Sequence, residues 1–215
     1  MVTREELTAQ SMHYVRTVGM TTMRGRGFYF PVDSAMASNG RIYVLSRSIE
    51  RVSPDSLRIT MLNEEGEYFG VFGKAGENDG EFRWPCGIAL DDKDQVFVTD
   101  EHLHRVSTFT PDGEFIGKWG TFGTEEGMLN GPAGITVDSD GNLLVSDSQN
   151  HRIQKFSKSG NFISSFGTQG NEEGQLNLPW GITTNSDDEI FVADWGNDRI
   201  QKFSADGKFL AQYGS

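Results

Sequence analysis

The chain has 215 residues, 19 basic and 31 acidic, for a formal charge of −12. That length can bury a full core. An aromatic content of 11% excludes a disordered acidic tail, and 26 glycines without a three-residue period exclude collagen and point to many tight turns. Cysteine occurs once, at Cys86, so no internal disulfide forms and the core alone must stabilise the fold.

Residues 1–13 read as an N-terminal extension without the apolar stretch of a secretory signal. No run approaches the ~18 apolar residues of a membrane span, and no Asn-x-Ser/Thr sequon occurs. These features predict a soluble, cytoplasmic protein that engages no membrane. The charge is uneven. Residues 1–60 carry eight arginines and five acids, whereas the remainder carries a balance of −15. An acidic chain disfavours phosphate-backbone binding, so nucleic acid is an unfavoured partner. The exception would be an arginine patch at Arg24, Arg26, Arg47, Arg51 and Arg58, which ordinary solvated surface charge explains as well.

Self-similarity dominates the rest. Segments starting at Gly87, Gly134 and Gly181 align without gaps at a spacing of 47 residues. Asp100, Asp147 and Asp194 keep this period, as do Arg105, Arg152 and Arg199, and Phe109, Phe156 and Phe203. A divergent copy precedes them. Pro31 matches Pro85 and Ile42-Tyr43-Val44 matches Val96-Phe97-Val98 at a spacing of 54, whereas Arg58 matches Arg105 at 47; an insertion between Ser46 and Arg58 accounts for the difference.

Each copy reads as four short strands. In the second, 88–90, 96–98, 105–109 and 115–119 are β-branched or aromatic runs with alternation of period two, separated by turn residues such as Pro111-Asp112-Gly113. Four strands per repeat of this length indicate an all-β propeller with one antiparallel blade per copy. The predicted blades are 31–73, 85–120, 132–167 and 179–214. Tyr14–Gly19 aligns with 68–73 at 54 and predicts an extra outer strand at 14–19.

The pattern Pro-x-Gly-Ile…Val-x-Asp-x-x-Asn-x-Arg-Ile-Gln-x-Phe…Phe-Gly resembles the NHL repeat. The runs 147–156 and 194–203 match it well, while Leu103 replaces the Asn of the second copy and Ser46 the Asp of the first. The resemblance implies an NHL-type β-propeller over residues 14–215. Such rings typically close with six blades, so four blades and one outer strand imply an open arc. The arc would be a fragment of a longer protein, a smaller ring, or one that self-associates through its open blade edges; the fragment is favoured.

Strand order sorts the loops by face. The a–b and c–d turns share one face and read as plain hairpin turns, including Asp138-Ser139-Asp140-Gly141, which lacks the spacing of a calcium loop. The long d–a loops and the b–c turns share the other. That face gathers Tyr29, Arg83, Trp84, Trp180, His102, His104, His151 and Trp195, residue types that anchor partners when a rigid scaffold presents them. Trp84 and Trp180 equally fit packing between blades. The recurring Asp and Arg are expected to hold architecture, because repetition at every blade is not how one catalytic centre is built. His104 and His151 occupy equivalent turns on the order of 14 Å apart by strand spacing, too far to share one zinc ion.

No nucleophile elbow, zinc-binding His pair or phosphate loop occurs, so no catalytic, cofactor or metal residue is predicted. The favoured reading is a non-catalytic scaffold that binds a protein or peptide through the loop face, as NHL propellers commonly do. The alternative is a propeller enzyme, lactonase-like or amidating-lyase-like, holding calcium or zinc in its central channel. Of the channel-entrance positions, only Asp33 offers a ligand. RNA binding through the arginine-rich first blade is third.

Overall fold

The computed structural model describes residues 27–47 and 54–214. The predicted outer strand at 14–19 lies outside them. Within them, four antiparallel four-stranded sheets follow one another along the chain. The first comprises β1 (Pro31–Met36), β2 (Ile42–Ser46), β3 (Arg58–Leu62) and β4 (Tyr68–Phe72). Two short strands, β5 (Lys74–Ala75) and β6 (Glu81–Phe82), pair in parallel within the next loop. The second sheet holds β7 (Pro85–Leu90), β8 (Val96–Asp100), β9 (Arg105–Phe109) and β10 (Phe115–Trp119). The third holds β11 (Pro132–Val137), β12 (Leu143–Asp147), β13 (Arg152–Phe156) and β14 (Phe162–Phe166), and the fourth β15 (Pro179–Thr184), β16 (Ile190–Asp194), β17 (Arg199–Phe203) and β18 (Phe209–Gly214). Each is a propeller blade. Its first strand is innermost, and β1, β7, β11 and β15 pack side by side around a central channel.

Period-two alternation gives every blade two apolar faces, and the second and third blades are sandwiched between neighbours. Val96 and Val98 pack back onto Tyr43, Leu45 and Ile59 of the first blade. Phe97 and Val106 pack forward onto Leu143 and Val145 of the third. Leu144 and Ile153 repeat that role towards Ile190 and Val192. Burying a Phe97-sized side chain fully stabilises the fold by about 1.5–3 kcal/mol. The forward face of the fourth blade carries the same apolar positions uncovered: Ile200 is 39% and Tyr213 54% exposed, whereas the equivalent Ile153 is fully buried.

The channel-side turns are hairpins. In one, the Gly141 N–H donates to the Asp138 carbonyl at 2.9 Å with Gly141 at φ +78°, and the Asp138 carboxylate accepts from the Asn142 N–H at 2.7 Å. The long d–a loops are more ordered than their glycine content implies. Parallel bridges join Phe122 to Leu129 and Gln169 to Leu176, as β5–β6 joins Ala75 to Phe82, and Phe82, Leu129 and Leu176 sit at zero exposure beneath the loop face. These buried plugs recur at the repeat spacing, a signal that loop composition alone hides.

Candidate functional site

In the second, third and fourth blades the loop face is held by one buried carboxylate each, Asp100, Asp147 and Asp194. Asp147 ends β12 with zero exposure. Its Oδ1 accepts from the Asn130 N–H at 2.6 Å, and its Oδ2 accepts from Arg152 Nε at 2.8 Å, Asn150 Nδ2 at 2.8 Å and Gln154 Nε2 at 2.9 Å. Asp194 repeats the set with Asn177, Arg199, Asn197 and Gln201. The arginines then reach on to the d–a loop: Arg152 Nη2 donates to the carbonyls of Glu125 at 2.8 Å and Met128 at 3.0 Å. These groups tie turn to loop.

The second blade departs from the plan where its sequence does. With Leu103 in the Asn position, Asp100 accepts from the backbone N–H groups of Arg83, Trp84, His102 and Leu103. Arg105 still laces the loop through the carbonyls of Glu77, Asn78 and Glu81. The glutamines at 154 and 201 were not singled out as part of this network, although they recur at the repeat spacing.

His104 and His151 are clasps between blades. Nδ1 of His104 accepts from the Gly131 N–H at 3.1 Å, and Nδ1 of His151 from the Leu178 N–H at 3.2 Å. Each ring thus carries its proton on Nε2. Burial, then the neighbouring His102, push the His104 pKa down, against the opposing carboxylates of Asp100, Asp147 and Glu101. The imidazole is therefore neutral in the fold and charges more readily when unfolded. Its contribution is complete above the ordinary imidazole pKa of ~6.5 and is lost progressively as pH falls from there through the lowered value in the fold. Urea titrations at pH 7.5 and 5.5 are expected to show a larger drop in midpoint for the wild type than for His104→Asn; equal drops would sink the clasp.

The structure gathers three of the predicted residues, Trp84, His102 and His104, around one recess between the second and third blades. Glu101, Asn130, Gly131 and Gln149 complete its lining, and its volume is about 390 Å³. Trp84 is 38% exposed, and the Arg47 guanidinium stacks 3.9 Å from its ring centre. Arg47 also lies 3.7 Å from Glu101. Trp180 and Trp195 form a separate exposed pair, 6.4 Å between ring centres, at the end of the arc. Tyr29 is half-buried and packs edge-on against Phe30 at 5.1 Å. Arg83 lies 3.7 Å from Glu77.

The described arginines of the predicted basic patch are engaged within the protein. Arg58 is buried and donates to the carbonyls of Gly27 at 2.8 Å and Asp55 at 3.1 Å, the counterpart of the lacing by Arg105. Arg47 is stacked on Trp84 as above. Arg24, Arg26 and Arg51 lie outside the described residues. Burial pushes the Cys86 thiol up to about 12, so at neutral pH it is a packed thiol rather than a nucleophile. Asp33, at the channel, spends one carboxylate oxygen on the Ile88 N–H at 2.9 Å and the other on the Ser34 N–H at 2.8 Å. Among the described residues, no group of three or more His, Cys, Asp or Glu is placed to hold a metal. No helix there is long and apolar enough to cross a membrane.

The family model of the NHL repeat matches residues 129–156 and 176–203. No curated protein matches the chain in sequence. Among solved structures, virginiamycin B lyase from Staphylococcus aureus is similar at a TM-score of 0.60 and 18% identity, over 84% of this chain and 54% of that one. A streptogramin B lyase is similar at 0.58 and 17%, over 86% and 68%. Hydrazine synthase of Kuenenia stuttgartiensis is similar at 0.61 and 13%, over 94% and 53%. The chain thus spans about half the length of the S. aureus lyase, and identities this low carry the fold alone. The chain thus carries two NHL repeats within a β-propeller of four blades of one strand order.

Proposed function

We propose that this chain is a non-catalytic binding module that engages a protein or peptide partner through its loop face. The observation that carries this reading is the recess between the second and third blades, where an exposed indole, two imidazoles, a carboxylate and two carboxamides converge on a rigid rim. Such groups recognise a partner by stacking and hydrogen bonding without supplying an activated nucleophile.

The test is capture of a binding partner by the immobilised chain. Removing a tryptophan anchor from an interface typically costs 2 kcal/mol or more, about thirtyfold in affinity. Trp84→Ala combined with His102→Ala is therefore expected to weaken capture by at least that factor, and Lys208→Glu on the opposite face to leave it unchanged. Undiminished capture by the loop-face variant would overturn the reading.

A further inference from the structure

The loop-face junctions between blades follow one plan, and one of the three is left open. Residues 84, 131 and 178 are equivalent at the repeat spacing, each directly preceding the proline that starts an innermost strand. At the first junction the position is Trp84, which covers the gap by stacking on Arg47. At the third it is Leu178, half-buried with φ +50°. At the second it is Gly131, with φ +63°. The recess lies beside this position, where the second junction lacks the side chain that its neighbours carry.

The charge beneath the open position is reversed as well. Arg47 of the first blade corresponds to Glu101 of the second and Ser148 of the third. The first junction is therefore closed by an indole of this chain on a cation of this chain. The second offers a carboxylate and no side chain of its own at 131, where the nearest atom is Gln149 Cγ, 2.8 Å from the place of a Cβ. Glu101 lies 3.7 Å from Arg47 and accepts from Cys86 Sγ at 3.5 Å, both at Oε2, and its side chain is 28% exposed. Trp84 flanks the opening with its π-system, and the carboxamides of Asn130 and Gln149 offer acceptor oxygens.

We propose that the recess at Gly131 binds a cationic side chain, arginine or lysine, of a partner peptide, which takes the place that Trp84 and Leu178 take at the neighbouring junctions. This rests on the binding-module reading above and names the ligand chemistry of that site. Glu101 pairs with the guanidinium or ammonium group, Trp84 contributes a cation–π contact, and the carboxamide oxygens accept the remaining donors. The neutral His104 ring adds no repulsion. A carboxylate or phosphate would meet Glu101 head-on.

The experiment titrates the 15N-labelled full chain with the tripeptides Gly-Arg-Gly, Gly-Lys-Gly, Gly-citrulline-Gly and Gly-Glu-Gly, following the Trp84 indole and Gly131 amide signals. At least one cationic peptide is expected to shift both signals, with Gly-citrulline-Gly and Gly-Glu-Gly at least tenfold weaker. Glu101→Gln should weaken the cationic peptide about tenfold. Gly131→Leu, at a positive φ that Leu178 also adopts, must displace Gln149, whose Cγ lies 2.8 Å from the added Cβ, and should abolish binding while the rest of the spectrum stays folded. No shift by either cationic peptide, equal binding of the citrulline peptide, or full binding by Gly131→Leu would overturn the proposal. A captured partner lost on the Trp84/His102 variant but retained by Gly131→Leu would leave the binding-module reading standing and this one refuted.

Discussion

Asp147→Ala is expected to destabilise the protein by on the order of 3–5 kcal/mol, the cost of removing one partner from a buried ion pair. The carboxylate has zero exposure and answers a guanidinium, two carboxamides and a backbone N–H at once. Truncation leaves Arg152 charged and partly buried with only carbonyl partners and no counter-charge, and it frees the loop at Asn130. Asp147→Asn is expected to fare little better, because its amide would face the Arg152 and Gln154 donors with donors of its own. Asp206→Ala, in an exposed hairpin turn, should stay within about 0.5 kcal/mol of wild type. Urea midpoints for the three variants decide the matter; similar stabilities for Asp147→Ala and Asp206→Ala would sink the hub.

The second large effect separates two glycines of the same repeat position. A Cβ at Gly134 would press into the Trp180 carbonyl oxygen and come within 3.0 Å of the Ile182 nitrogen. Both are backbone atoms of the next innermost strand, so neither blade can yield without shifting the other. Gly134→Ala is expected to cost about 1–3 kcal/mol, the usual range for overpacking, towards its upper end because the obstacle is backbone. Gly181 occupies the same place one blade on, and a Cβ there meets only Ala193 Cβ at 3.6 Å. Gly181→Ala should change stability by no more than about 0.5 kcal/mol. Thermal midpoints of the pair measure the difference, and equal losses would show that strand crowding is not what demands glycine at position 134.

The blades were legible from the residues. Val96-Phe97-Val98 alternates with period two, and that period assigns Val96 and Val98 to one neighbour and Phe97 to the other, as the clusters confirm. The recurring Asp147 and Arg152 were legible as architecture for the same reason, since each repeat carries them. The candidate site was legible in part. The loop face was predicted to hold Trp84, His102 and His104, but nothing in their order along the chain says that these three share a recess whereas Trp180 and Trp195 form another pair.

Local pattern determined strand order and turn positions, because strand alternation and turn chemistry depend on residues a few places apart. The junctions were decided by tertiary structure alone. The gap at Gly131 is bounded by Trp84 and Glu101 from the second repeat and by Gln149 from the third. Arg47 closes the neighbouring gap from a first blade dozens of residues away. An absent side chain becomes a recess only when its neighbours across a blade interface are held fixed around it. That condition is set by the packing of whole sheets against one another and by no short stretch of the chain.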